Sequence, residues 1–219
     1  MSVETSQDEV DAPPGTDVVA PASATVGRRR DASRDGAILD AAISILAEAG
    51  YDGMTMDMVA VRAKAGKATV YRRWATKADM VLEAVARMKR EQVDLENLPD
   101  TGNLRDDLLG LFRPQPMEET QRKLRAMAGM AALLSHHPAL ADTAHEALVA
   151  PWVEANRALM RRALGRGEIS PDADIETVAQ VMPSMGAYRS LVQRRPFDRA
   201  FLVAMIDGLV LPALGLPRK

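Results

Sequence analysis

The stretch Thr55-Met56-Asp57-Met58-Val59-Ala60-Val61-Arg62-Ala63-Lys64-Ala65-Gly66-Lys67-Ala68-Thr69-Val70-Tyr71-Arg72-Arg73-Trp74-Ala75-Thr76-Lys77 reads as two short helices joined by a tight turn of small residues. Thr55 is placed to cap the first helix, because its hydroxyl can accept from the free N–H groups of the turn that follows. Met58, Val59 and Ala63 give that helix an apolar face. Ala63-Lys64-Ala65-Gly66 is small enough to let two helix axes cross closely, and Gly66 offers backbone freedom where the chain reverses. The second helix is expected from Lys67 to Trp74, with Val70 and Trp74 turned inward. Thr76 then caps a third helix, with Asp79 three residues on in a capping-box arrangement.

The outer surface of this unit is basic. Arg62, Lys64, Lys67, Arg72, Arg73 and Lys77 stand against the single acid Asp57. Ala68, Thr69 and Arg72 point away from Val70 and Trp74, with Lys67, Tyr71 and Arg73 on the flanks. Small side chains at the start of a short helix permit close approach to a DNA major groove, while long basic ones reach phosphates or guanine edges. The same charges also fit a solvated face on an ordinary helical hairpin, and charge alone does not separate the two.

The order of residues does. Gly50-Tyr51-Asp52-Gly53-Met54-Thr55, Val59-Ala60, Ala63 to Tyr71 and Trp74-Ala75-Thr76-Lys77-Ala78-Asp79 together resemble the DNA-binding domain of the TetR (tetracycline-repressor-like) family over residues 31–90. Where that family usually carries Ala-Gly-Val-Ser, this chain has Ala63-Lys64-Ala65-Gly66, so a weaker glycine cap opens the recognition helix. The resemblance implies an all-α fold, with an N-terminal helix-turn-helix domain and a larger helical domain for ligand binding and dimerisation. It implies DNA contacts from Thr55, Lys67, Ala68, Thr69, Tyr71, Arg72, Arg73 and Lys77, with Lys77 and the backbone at its helix start suited to a phosphate.

Charge is unevenly placed. Residues 1–27 hold five acids and no Lys or Arg, with Pro13, Pro14, Gly15 and Pro21, and read as a disordered acidic tail without signal-peptide features. Residues 28–90 hold 13 Lys and Arg against 8 Asp and Glu, a net of +5 inside a chain whose total is −2. A near-neutral whole thus hides a basic segment at the recognition unit, as a polyanion-binding face requires. The triplet Arg28-Arg29-Arg30 fits a DNA-tracking arm or a plain junction. Absence of cysteine excludes disulfides, thiolate metal sites and thiol nucleophiles. Aromatic residues at 4% disfavour a β-sandwich. No apolar run approaches the ~20 residues of a membrane span, and a cytoplasmic location is expected.

Helix 1 is expected over Ser33 to Ala49, ended by Gly50, and a linking helix over 77–92. The HTH occupies about 55–74 within a DNA-binding domain at 28–90. Leu98 to Asn103 is a turn cluster and hinge, and 98–219 forms the second domain. There, Met117, Met127, Met130, Leu134, Trp152, Met160, Met182, Met185 and Tyr188 could line a pocket for a small apolar effector, since thioethers adapt to varied shapes, or could simply pack a core. Pro183 should kink its helix. The last two helices carry surplus apolar surface, and Ile175, Phe197, Phe201, Met205 and Leu209 are candidates for a homodimer interface, with an intrachain bundle as the alternative.

Enzyme readings find little footing. His136, His137, Asp142 and His145 lack the spacing of a zinc helix, and Pro138 interrupts them. No catalytic residue set, metal site or cofactor is expected. The sequence reads as a DNA-binding transcriptional regulator, a repressor released from a pseudo-palindromic double-stranded operator by its effector. A helical ligand-binding protein without specific DNA binding is the alternative, and a helical metalloenzyme the third.

Overall fold

Leu46 of the first helix sits where a side chain at position 129 would otherwise stand. A Cβ built on Gly129 would lie 2.5 Å from Leu46 Cδ1 and 2.7 Å from its Cγ, so the two helices cross at near-backbone distance. The computed structural model describes residues 32–217, with side chains from residue 34 onward. The acidic segment 1–27 and Arg28, Arg29 and Arg30 lie outside the described residues.

These are all-helical, with no strand among the described residues. The order is α1 (Ala32–Gly53), α2 (Met56–Arg62), α3 (Lys67–Arg73), α4 (Lys77–Arg90), α5 (Leu104–Gly110), α6 (Met117–His136), α7 (Ala141–Leu148), α8 (Ala150–Gly165), α9 (Ile175–Ala187) and α10 (Arg199–Met205). A short 3-10 turn precedes α7, and π-helical turns at Tyr188–Val192 and Ile206–Val210 extend α9 and α10. Gly50 takes φ 71° inside α1, so regular helix stops where the sequence places the stop, and one further turn follows.

Local capping is as expected. Thr55 Oγ1 accepts from Met58 N at 3.2 Å. Thr76 and Asp79 form the reciprocal capping box at the start of α4. Two expectations in the first helical pair need correction. Met58 is 41% exposed, and the buried residues of α2 are Met56, Val59 and Ala60, the stripe that continues to Ala63. The left-handed residue of the turn is Lys64 (φ 49°), while Gly66 takes φ −65°, open to any residue. Lys64 therefore occupies the position where glycine is favoured.

Two hydrophobic cores form. The first gathers α1 to α4 (Ile38, Leu46, Val59, Val70, Trp74, Val85) with Met127, Met130 and Leu133 of α6 and Leu148 of α7. The second gathers α5, α8, α9 and α10 around Leu108, Leu159, Met160, Ala179 and Ile206. The α1–α6 crossing is the most extensive helix pair among the described residues. Thus α6, which follows the 98–103 turn, packs with the helices that precede it.

That turn is tied down. Asp107 is fully buried, accepts from Thr101 N (2.6 Å) and Thr101 Oγ1 (2.8 Å), and pairs with Arg166 at 3.1 Å. Arg162 Nη1 donates to Pro99 O at 2.6 Å. A turn cluster in sequence is here a fixed corner between α5 and α8.

Gly129→Ala should push α6 off α1 and cost about 1–3 kcal/mol by overpacking. Urea unfolding of the variant against wild type reads this directly, and an unchanged midpoint would mean that Leu46 simply turns away.

Candidate functional site

The capped start of α2 and the buried Val70 and Trp74 fix which face of α3 is left to solvent. Trp74 closes α3 as an extended residue, and its Nε1 donates to Glu83 of α4 at 2.6 Å. Lys67, Ala68, Tyr71 and Arg72 are exposed and Thr69 half-buried, so five of the eight candidate contacts share one accessible face. Arg72 and the exposed Lys64 make no ion pair with the described residues.

Asp57 organises this face. Lys67 Nζ reaches its Oδ2 at 2.6 Å, and Tyr71 OH donates to its Oδ1 at 3.3 Å. The Lys67 ammonium holds the Asp57 carboxyl below its ordinary range, and the pair raises Lys67 in turn. Both groups are exposed, and exposed pairs contribute little, so a phosphate can compete for Lys67.

The other candidates lie elsewhere. Thr55 spends its hydroxyl on the α2 cap. Arg73, only 16% exposed, turns back to an ion pair with Asp35 of α1. Lys77 Nζ donates to Tyr51 O at 2.7 Å and stands 4.2 Å above the Tyr51 ring, so its ammonium anchors α4 to α1. Two exposed cations lie outside the candidate set: Arg62, paired with Glu48 at 2.8 Å, and Lys64, whose departure from the family glycine was the available signal.

His136 and His137 belong to this anchor. Tyr51 OH meets His137 Nε2 at 3.1 Å, and His136 Nε2 lies 3.2 Å from Asp52. No group of three or more metal-ligating side chains occurs among the described residues.

A cavity of about 540 Å³ opens between α4, α5, α6, α8 and α9. Met88 and Lys89 come from α4, Gln92 from the turn after it, Glu119, Lys123, Leu124 and Met127 from α6, and Trp152 and Asn156 from α8. Leu108, Phe112, Met182, Pro183, Phe197 and Leu202 close the apolar walls. Of the nine candidate pocket residues, Met127, Trp152 and Met182 therefore meet here. Met130 and Met160 are fully buried in the two cores, Leu134 and Met185 pack against them, and Met117 (72%) and Tyr188 (47%) are exposed. Those six do not line this cavity, because the methionine pattern did not say which core each would join.

Pro183 sets a detail of the wall. Lacking an N–H, it leaves the carbonyl of Ala179 without its helical donor, and Asn156 Nδ2 supplies one at 3.1 Å. The amide is thereby oriented, and Asn156 Oδ1 is left buried without a hydrogen-bond partner, as is Trp152 Nε1. Lys89 Nζ lies 5.5 Å from the centroid of the Trp152 ring. Burial, with a smaller push from Lys123, lowers Lys89 to about 8.

The dimer candidates also divide. Ile175 and Met205 are buried within the chain. Phe197 packs on Phe201 (5.6 Å, edge-on) and lines the cavity, and Arg189 covers Phe201 at 4.2 Å. Leu209 is 51% exposed. Ile175 and Met205 thus belong to the intrachain core, while Phe197 is half-buried against it.

With this geometry in place, comparison with known proteins is decisive. The profile described as "Bacterial regulatory proteins, tetR family" matches residues 38–84, and "Tetracyclin repressor-like, C-terminal domain" matches residues 98–209. The chain belongs to the TetR family. An uncharacterized HTH-type transcriptional regulator of Mycobacterium tuberculosis is 36% identical over 181 residues, covering 83% of this chain and 88% of that protein. The DNA-binding transcriptional repressor TetR of Mycobacteroides abscessus is 32% identical, over 83% of this chain and 94% of its own length. GusR of Salmonella enterica shares the fold at TM-score 0.61 and 16% identity, covering 86% of this chain and 98% of GusR. This TetR-family chain is a DNA-binding transcriptional regulator.

Two measurements follow from the site. Arg72→Ala should weaken DNA binding and reduce the salt slope by about one while leaving stability unchanged, whereas Arg73→Ala should cost about 1–3 kcal/mol of stability. Anisotropy titrations across salt, alongside urea unfolding, separate them; equal stability loss in both would place Arg72 wrongly.

The second concerns Lys89. Its folded value of about 8 lies below the ordinary 10.5, so between these pH values the unfolded chain binds the extra proton and stability rises with pH. Below pH 8 the protein carries the full cost of the buried charge. Lys89→Met should therefore be more stable than wild type at pH 7, by about 1–3 kcal/mol, with the gap closing toward pH 10. Unfolding of both proteins at pH 7 and 9.5 checks the sign.

Proposed function

We propose that this regulator is a homodimeric repressor that binds a pseudo-palindromic double-stranded operator and is released by a small organic effector held in the cavity. The observation that carries the reading is the double position of α4. Its capped N-terminus follows directly on α3, and its last turn supplies Met88 and Lys89 to the cavity wall. Fourteen residues at 1.5 Å each make a rod of about 21 Å between the two sites. A ligand that prefers one placement of this rod shifts the population of DNA-binding conformers.

Repression accords with the name of the Mycobacteroides relative. Dimerisation accords with exposed apolar side chains on the terminal elements, Tyr188, Val192 and Leu209. In a dimer, recognition helices about 34–36 Å apart read successive major grooves. Residues 28–90 then act as the DNA-binding domain and 98–219 as the ligand and dimerisation domain. The reading assigns the chain no catalytic step and a place in the cytoplasm, and no helix among the described residues is long and apolar enough to cross a membrane.

The test is binding to a fluorescent duplex from the DNA upstream of the protein's own gene, titrated across salt. Competitor-resistant binding with a steep salt slope and a stoichiometry of two chains per site is expected. Equal, weak binding to this and unrelated duplexes, including sites selected from random DNA, would overturn it.

A further inference from the structure

A purely apolar guest would leave this cavity's polar groups unanswered. Trp152 Nε1 is a buried donor without a partner, and Asn156, 2% exposed, holds its Oδ1 without one because Pro183 commits the other end of the amide to Ala179 O. A buried donor or acceptor left unmatched is costly, and protein interiors rarely keep one without a reason.

The charges in the wall have a definite sign. Lys89, Lys123 and Arg113 line the cavity, as do Glu91 and Glu119. Each carboxylate is engaged by an arginine outside the lining: Glu91 with Arg87 at 2.9 Å, Glu119 with Arg122 at 2.9 Å. Glu119 also reaches Lys123, at 3.5 Å. Lys89 has no carboxylate partner among the described residues. Its ammonium lies near the Trp152 ring, and both side chains line the chamber together with Leu108, Phe112, Met182 and Leu202.

We propose that the effector is an anionic amphiphile, an organic acid whose carboxylate is received by Lys89 and Trp152 Nε1, with Lys123 nearby, and whose apolar body fills the chamber. The inference rests on reading the cavity as the effector site. Burial has already lowered the affinity of Lys89 for its proton, and an incoming carboxylate supplies the counter-charge that the protein does not. Because Lys89 belongs to α4, the head group acts on the helix that leads to α3.

Calorimetric titration of the full chain with straight-chain carboxylates of six to fourteen carbons, below their micellar concentrations, tests it. The matching alcohols and alkylammonium ions serve as controls. At the best chain length the carboxylate should bind at least about tenfold tighter than the alcohol, and the ammonium ion more weakly still. Lys89→Met should abolish the preference while keeping alcohol binding, and Lys89→Arg should restore it. Carboxylate and alcohol binding equally well would overturn the anionic head and leave the effector cavity standing. A preference that survives both Lys89→Met and Lys123→Met would overturn the assigned residues. Failure of every compound to bind would overturn both the inference and the cavity reading.

Discussion

The close crossing of α1 and α6 is the constraint on which the rest depends. Leu46 needs the missing side chain of Gly129 in order to lie flat on α6. That contact draws Met127, Met130 and Leu133 into the same core as Val59, Val70 and Trp74. A three-helix DNA-binding unit of this size buries a small apolar volume by itself, and such units are marginal. Here it is completed by a helix from beyond the linker. One face of α6 holds α1 while another, through Lys123, Leu124 and Met127, walls the cavity.

Polar anchors sharpen what packing leaves loose. Lys77, Tyr51 and His137 tie the start of α4 and the end of α1 to the end of α6. Arg87 donates to Gly36 O at 2.7 Å and ties the other half of α4 to the beginning of α1. Arg73 and Asp35 hold α3 against α1. Arg73, Lys77 and Arg87 are therefore engaged within the chain, and the exposed cations of the helical pair are Arg62, Lys64, Lys67 and Arg72, of which Arg62 pairs with Glu48 and Lys67 with Asp57. Net charge located the interface but could not say which charges were free.

What was legible in the sequence was local. The Thr76–Asp79 capping box, the Thr55 cap and the stop at Gly50 each depend on residues within a few positions, and each forms as read. Met58 was misplaced because two stripes of α2 are comparably apolar, and only the partner surface on α1 and α3 chooses between them. The ion pair of Arg73 was not legible because its partner Asp35 lies far away in sequence. The cavity was the least legible part. Of the nine methionine, aromatic and leucine positions three line it, and the charged and polar side chains of its wall, Lys89, Lys123 and Asn156 among them, lay outside that pattern. Asn156 takes its role from a proline on another helix, which no pattern within α8 reveals.

The magnitudes limit how such a cavity can act on DNA binding. Moving a two-state equilibrium from 1:99 to 99:1 takes about 5.5 kcal/mol of differential affinity. A hydrogen bond to a charged group contributes about 1.5–3 kcal/mol, so a head group on Lys89 falls short by itself. The remainder must come from apolar surface covered in one state and open in the other, and about 120 Å² at ~25 cal/mol per Å² supplies about 3 kcal/mol. Phe112, Met182, Phe197 and Leu202 line the chamber and can offer such an area. The acid and the apolar body are then complementary requirements: the head group selects the ligand and engages α4, and the body provides the larger share of the work that moves it.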